Sequence, residues 1–336
     1  SEDVFEALLN IAIAFENARH YHLAIKYLEK AHEMYPDYLS VLYDLGYFYE
    51  RLDQYKRSVD YYQEYLDIDP FSENVWYNLG VAYFKMNQFE KAIEAYDFSI
   101  ALNPDYASAY FNKANTYGSM DEYIPAIQTI REFLDLEPEN TQALNFLGDC
   151  YEQISNYSSA FEVYKKVIEL DNTDSEGWFG AGMVLYQMNK LKEAAVYVLK
   201  ALEFDNDNTD YWMNLGYIYE ESGLADEAIR CYRHVGKLDK TDQEAWLSLS
   251  GLLIKNDDLD TALNVLFVAD GNIPGDKHIY LRLAEVHFRK GILEPGLDYL
   301  EKALKADPTL LTEFLENYPV NAKEKQIMEL INRFKR

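Results

Sequence analysis

The sequence predicts an all-α fold, a right-handed superhelical solenoid of helix-turn-helix repeats, and three columns of residues predict it. Pro36, Pro70, Pro104 and Pro138 stand thirty-four residues apart, and Pro274 and Pro308 fall on the same grid. A column of small residues follows the same step: Ala12, Gly46, Gly80, Ala114, Gly148, Gly182, Gly216, Ser250 and Ala284. So does a second: Ala24, Ser58, Ala92, Ala126, Ala160, Ala194, Ala228, Ala262 and Gly296. A fixed period of this length means units that bury their apolar faces on their neighbours. That overrides the two compact domains that the length of 336 residues would suggest.

Each unit reads as helix, tight turn, helix. In the unit beginning at Glu73, the residues Trp76, Leu79, Gly80 and Tyr83 share one helical face, and Phe89, Ala92, Ile93, Tyr96 and Ile100 share another. In the turn between them, the fifteenth position of the unit carries Asp53, Asn87, Asp121, Asn189, Gly223, Asp257 or Gly291, types that tolerate the left-handed backbone ending a helix. Gly80 lies mid-helix, where glycine costs about 1 kcal/mol relative to alanine. Its recurrence predicts close approach of a neighbouring backbone, with Ala92 as the partner. Asn103-Pro104 stops the second helix. Pro125 and Pro295 fall in the first turn of second helices, where proline is tolerated. One irregularity is expected: Asp270-Gly271-Asn272-Ile273-Pro274-Gly275 concentrates helix breakers, so that helix should end near Asp270.

The set Trp76, Leu79, Gly80, Tyr83, Ala92, Tyr96 and Pro104 resembles the tetratricopeptide repeat family. The pattern recurs as Leu42, Leu45, Gly46, Tyr49, Ser58, Tyr62 and Pro70, and as Trp212, Leu215, Gly216, Tyr219, Ala228 and Tyr232. The register gives nine units at 5–38, 39–72, 73–106, 107–140, 141–174, 175–208, 209–242, 243–276 and 277–310, followed by capping helices in 311–336. Asn172, Asn206 and Lys240 replace the closing proline in three units, and Tyr65, Phe133, Val167 and Val235 are bulky where the family often has alanine. In the cap, Leu310, Leu311, Phe314 and Leu315 suggest a short helix stopped by Tyr318-Pro319. Asn321 with Glu324 reads as a capping box, and Ile327, Met328, Leu330, Ile331 and Phe334 form one stripe expected to cover Leu297, Leu300 and Leu304.

Composition narrows the function. Acids outnumber bases 58 to 31, a formal charge of −27, which disfavours nucleic acid and anionic membrane and favours a basic protein segment. No apolar run is long enough to span a bilayer. Two cysteines, Cys150 and Cys231, lie more than two units apart and are expected to stay reduced, which fits the cytoplasm; a removed export signal is the alternative. The start at Ser1, without a polar capping helix, suggests truncation or further repeats upstream. The six histidines make no metal motif, Gly177-x-x-Gly180-x-Gly182 lies inside a helix instead of after a strand, and the acidic turns 171–174 and 205–210 lack calcium-loop geometry. No enzyme activity, metal or cofactor is expected.

The family resemblance implies a concave groove lined by the first helices and occupied by a peptide. Its positions give a first patch of Tyr43, Tyr47, Tyr77, Phe84 and Phe111, and a second of Phe179, Met183, Tyr186, Met213 and Tyr217. Asn78, Asn112 and Asn214 belong to a partial asparagine column, with Asn10, Asp44 and Ser248, that would grip a peptide backbone; Phe146 and Gly180 interrupt it. Glu16, Glu50, Asp149, Glu152, Glu220 and Glu221 supply an acidic field. The family's lysine-based clamp for a terminal carboxylate is not matched, since its lysine position holds no lysine here. The expected function is a non-catalytic scaffold binding a basic segment with apolar anchors. The alternatives are a regulatory or targeting module cut from a longer chain, which could bear an enzymatic domain, and a self-associating structural solenoid.

Overall fold

The computed structural model describes residues 2–319 and 324–334. They form an all-α repeat solenoid of twenty helices, with no strand among the described residues. In order these are α1 (Glu2–Asn17), α2 (Tyr21–Met34), α3 (Leu39–Arg51), α4 (Tyr55–Ile68), α5 (Glu73–Lys85), α6 (Phe89–Leu102), α7 (Ala107–Ser119), α8 (Tyr123–Leu136), α9 (Thr141–Gln153) and α10 (Tyr157–Leu170). There follow α11 (Ser175–Gln187), α12 (Leu191–Phe204), α13 (Thr209–Glu221), α14 (Ala225–Leu238), α15 (Gln243–Lys255), α16 (Leu259–Asn272), α17 (Lys277–Arg289), α18 (Leu293–Ala306), α19 (Leu310–Asn317) and α20 (Lys325–Phe334). Residues 1–172 make one compact unit and 173–336 a second. Within each, a helix packs on its hairpin partner and on the helix that follows in the next hairpin.

The turn inside each hairpin is set by backbone capping. In the hairpin of α5 and α6, Gln88 N–H donates to Tyr83 O and Asn87 N–H to Phe84 O, both at 2.9 Å, the paired bonds of a left-handed helix cap. The residue at that place has positive φ in every hairpin, including Arg19 at 57° and Ser155 at 57°, neither of which is a residue type chosen for this conformation.

The glycine column is explained differently from the sequence reading. A Cβ added to Gly46, Gly80, Gly148 or Gly216 would come within 2.6 Å of the ring of Tyr62, Tyr96, Tyr164 or Tyr232. It is therefore a tyrosine ring from the second helix, and not the backbone beside Ala92, that presses on Gly80. These four rings are among the largest fully buried side chains. At Gly182 the partner is Val198, and there the backbone does approach, with Ala194 O 3.3 Å from a would-be Cβ.

The expected break in the eighth hairpin does not occur. Helix α16 continues to Asn272 and has the same 14 residues as the α6 and α14 second helices. The breakers occupy its last turn, where carbonyls have few helical donors to lose. Asn272 Nδ2 donates to Val268 O at 2.8 Å, and Ile273 N–H closes the helix on Ala269 O.

The C-terminal helices complete the core of the second unit. Ile327, Leu330 and Ile331 of α20 are buried with Leu300 and Leu304, and Leu297 packs against the same cluster, as the stripe predicts. The expected capping partner Asn321 lies outside the described residues.

Candidate functional site

The first helices of successive hairpins place the predicted groove residues in rows. In the first unit, Tyr43, Tyr47, Tyr77, Asn78, Phe84, Phe111 and Asn112 are all half-buried. Two asparagines of the column are already engaged. Asn78 Nδ2 donates to Tyr43 Oη at 3.3 Å, and Asn112 Nδ2 donates to Tyr77 Oη at 2.8 Å. Each bond crosses from one hairpin to the next, so the column acts first as a lock between hairpins. One amide N–H and the carbonyl of each asparagine stay available. Aromatic neighbours fix the other anchors: Tyr47 lies against Phe48 at 5.6 Å, Phe84 against Phe89 at 5.6 Å, and Phe111 against Phe133 at 5.4 Å.

Carboxylates on the same rows have a structural partner as well. The buried Tyr62 donates its hydroxyl to Glu50 at 3.3 Å, Tyr164 to Asp149 at 2.6 Å and Tyr232 to Glu220 at 3.2 Å. Burial lifts the Glu50 carboxyl above its ordinary range, and burial with the nearby Asp149 does the same to Glu152. Burial, then the charge of Glu16, pushes Asp44 up to about 6. Tyr96 occupies the place of Tyr62 and Tyr164 but faces Val81 and Phe84 where they have an acid. A cavity of about 490 Å³ opens beside it, lined from α5, α7 and α9 by Val81, Phe84, Asn112, Asn115 and Phe146.

In the second unit the predicted patch is less uniform. Phe179 stacks on Tyr211 at 4.3 Å; with no hydroxyl at Phe179 to meet it, Asn214 donates to its own helix at Asp210 O, 2.8 Å away. Met213 is a correction: it is only 6% exposed and belongs to the core. Tyr186 donates to Glu221 and Tyr217 to Glu244, each at 2.6 Å. Met183, Tyr186, Tyr217 and Glu220 are half-buried.

The ninth hairpin has no open row. Leu281, Glu285 and Phe288 are all buried. Phe288 packs on Phe314 at 6.0 Å and Tyr318 at 5.6 Å. Glu285 is held by Arg282 at 2.9 Å and Arg289 at 3.0 Å, and Arg289 also donates to Asn317 O at the end of α19. The sequence predicts a short capping helix at Leu310, Leu311, Phe314 and Leu315 but not that it covers Phe288, which Phe314 and Tyr318 do.

Cys150 and Cys231 are free and buried, and burial pushes both thiols up to about 12, so neither is a poised nucleophile. Among the described residues no helix is long and apolar enough to cross a membrane.

A solenoid of helical hairpins with a fixed step, each turned by the same cap, defines a class of repeat protein. Family models for the tetratricopeptide repeat match residues 73–106; 9–73 and 126–175; and 107–140, 175–208 and 209–242, an unbroken run from 9 to 242. The chain belongs to the tetratricopeptide repeat family. Among solved structures, it resembles the C-terminal part of a TPR repeat-containing protein from Cytophaga hutchinsonii (17% identity, TM-score 0.63, 72% of this chain and 99% of that one). It also resembles a tetratricopeptide repeat protein from Parabacteroides merdae (16%, 0.55, 75% and 99%) and MamA protein (24%, 0.50, 52% and 96%). At these identities the likeness concerns the fold. No curated protein matches the chain by sequence.

Proposed function

We propose that the chain is a non-catalytic scaffold whose first-helix rows take up a protein segment that is basic and carries apolar anchors. The nine units delimited above, capped by 311–336, are the framework for this reading. The observation that carries it is in the first unit: Asp44, Glu50 and Glu152 are partly desolvated carboxylates on the rows that present the aromatic residues, and none has a lysine or arginine ion-pair partner among the described residues. The charges of Arg51 and Lys85 already act on Glu50; Asp44 and Glu152 face only further acids, Glu16 and Asp149, and such desolvated acids favour a ligand that brings a base. Tyr43, Tyr47, Tyr77, Phe84 and Phe111 offer apolar contact beside them. The two buried free thiols support a reducing compartment such as the cytoplasm.

The test is capture of the partner from native lysate, followed by binding kinetics with two variants. Tyr77→Ala with Phe111→Ala should raise the off-rate. Glu16→Gln with Glu152→Gln, neither of which holds a tyrosine hydroxyl, should slow association and flatten its salt dependence. A captured partner that binds both variants like the native chain contradicts the proposal.

A further inference from the structure

Tyr96 differs from its counterparts in one respect that points to a ligand. Tyr62, Tyr164 and Tyr232 are buried tyrosines over a glycine, and each gives its hydroxyl to a carboxylate of the facing helix. Tyr96 is 1% exposed and lies over Gly80 in the same way, but no protein group among the described residues accepts from its hydroxyl, and that oxygen is not one of the fully buried unpartnered atoms, so it is accessible to water or to a ligand. Tyr96 lines the cavity of about 490 Å³, to which the next hairpin contributes Gly118 where others carry glutamate, phenylalanine, tyrosine or isoleucine, and the Phe146 ring packs over that glycine.

The lining specifies what would fill it. Tyr96 supplies a donor. Asn112 spends one N–H on Tyr77 and keeps a carbonyl and a second N–H, and the Asn115 side chain offers both functions. A group that accepts and donates at once, an amide, matches this set. A carboxylate would meet the negative field that Glu50 exerts at Tyr96, and an ammonium or guanidinium would meet Lys85, which lines the same cavity. Val81, Phe84 and Phe146 are apolar and suit methylene groups. We infer that this cavity receives the side chain of a glutamine from a bound basic segment. Asp44 and Glu50 on α3 and Glu152 on α9 flank it, so basic residues belong on both sides of the glutamine. From α3 to α9 is three helix spacings of about 9 Å, a span that an extended segment of about nine residues covers. The inference rests on the groove reading and specifies its occupant.

A random nonapeptide display library selected on the intact chain tests it. Basic peptides with glutamine at one fixed place should be enriched. A synthetic peptide of that sequence should bind Tyr96→Phe about fivefold more weakly, the value of one hydrogen bond, while its glutamine-to-leucine analogue should bind native and variant chains alike. Tyr96→Phe keeps the ring over Gly80 and loses no internal bond, so its unchanged melting serves as the folding control; Asn115→Ala provides a second variant expected to weaken the glutamine peptide. Enrichment of basic peptides without a glutamine column, or a glutamine peptide indifferent to both variants, overturns the inference and spares the groove reading. Enrichment of no basic peptide overturns both.

Discussion

The ninth hairpin and the third are built on one plan and finished in opposite ways. In the ninth, α19 lies over Phe288, Arg282 and Arg289 enclose Glu285, and Leu281 is buried. In the third, Tyr77, Asn78 and Phe84 remain half-buried, Tyr96 has no hydrogen-bond partner for its hydroxyl among the described residues, and a cavity stands beside it. The comparison teaches that the repeat specifies the hairpin but not whether its first-helix face is closed. In the ninth hairpin the cover comes from α19, outside the repeat pattern, together with Arg282 and Arg289 of the hairpin itself; the third has no such cover among the described residues.

Removing residues 310–336 should have the largest effect. It uncovers Leu281, Phe288, Leu300 and Leu304, each worth roughly 1.5–3 kcal/mol of burial. The shortened chain should melt lower by circular dichroism and aggregate in sedimentation. Unchanged melting and a monodisperse species would show that the ninth hairpin does not depend on its cover. Glu285→Ala should come next, because it leaves two arginines facing each other without their carboxylate. Allowing for their partial exposure, a loss of about 2 kcal/mol is expected in denaturant titration.

A matched pair of smaller changes compares a finished tyrosine with an unfinished one. Tyr164→Phe should cost about 1 kcal/mol, since the bond to Asp149 is lost, whereas Tyr96→Phe should cost nothing measurable. Equal losses would mean that Tyr96 is satisfied in the free protein and would remove the contrast between the hairpins.

The smallest effect concerns pH. His287 is buried in the ninth hairpin, stacked on Tyr299 at 5.8 Å, and neither ring nitrogen has a hydrogen-bond partner among the described residues. Burial, then the charge of Lys290, holds it below its ordinary value of 6.5. The fold therefore favours neutral imidazole. Its stability is fully present above pH 6.5 and falls as the pH drops below it, because the unfolded chain takes a proton that the folded one resists. Asp44 works in the opposite direction, since its folded value, raised from 3.8 to about 6, favours the fold as pH falls through 6 toward 3.8. Melting of His287→Leu beside the native chain isolates the histidine. Leu185 and Leu253 hold the same place in other hairpins, and the difference between the two curves should change below pH 6.5.

Most of the fold was legible because the period is a statement about packing. It gave helix, turn and helix in every hairpin, and it overrode local signals: Arg19 and Ser155 adopt the left-handed cap, and α16 runs through Gly271 and Asn272. The glycine column was legible in place but not in cause. Small residues suggested each other as partners, while the ring of Tyr96 supplied the contact with Gly80. The site was legible only as rows. The lock between Tyr43 and Asn78 joins residues 35 apart, and the pairing of tyrosine in one unit with asparagine in the next could have revealed it. The missing tyrosine at Phe179 would then have predicted that Asn214 turns to its own helix. The course of α19 depends on which side of the last hairpin a short tail folds against, and no periodicity encodes that.

The most direct test of the open first-helix rows is hydrogen exchange of the intact chain with and without its captured partner. Protection should appear in α3, α5, α7 and α9, at 39–51, 73–85, 107–119 and 141–153, and be weak in the second helices between them. Protection confined to α4, α6, α8 and α10, with the first helices unchanged, would contradict the account.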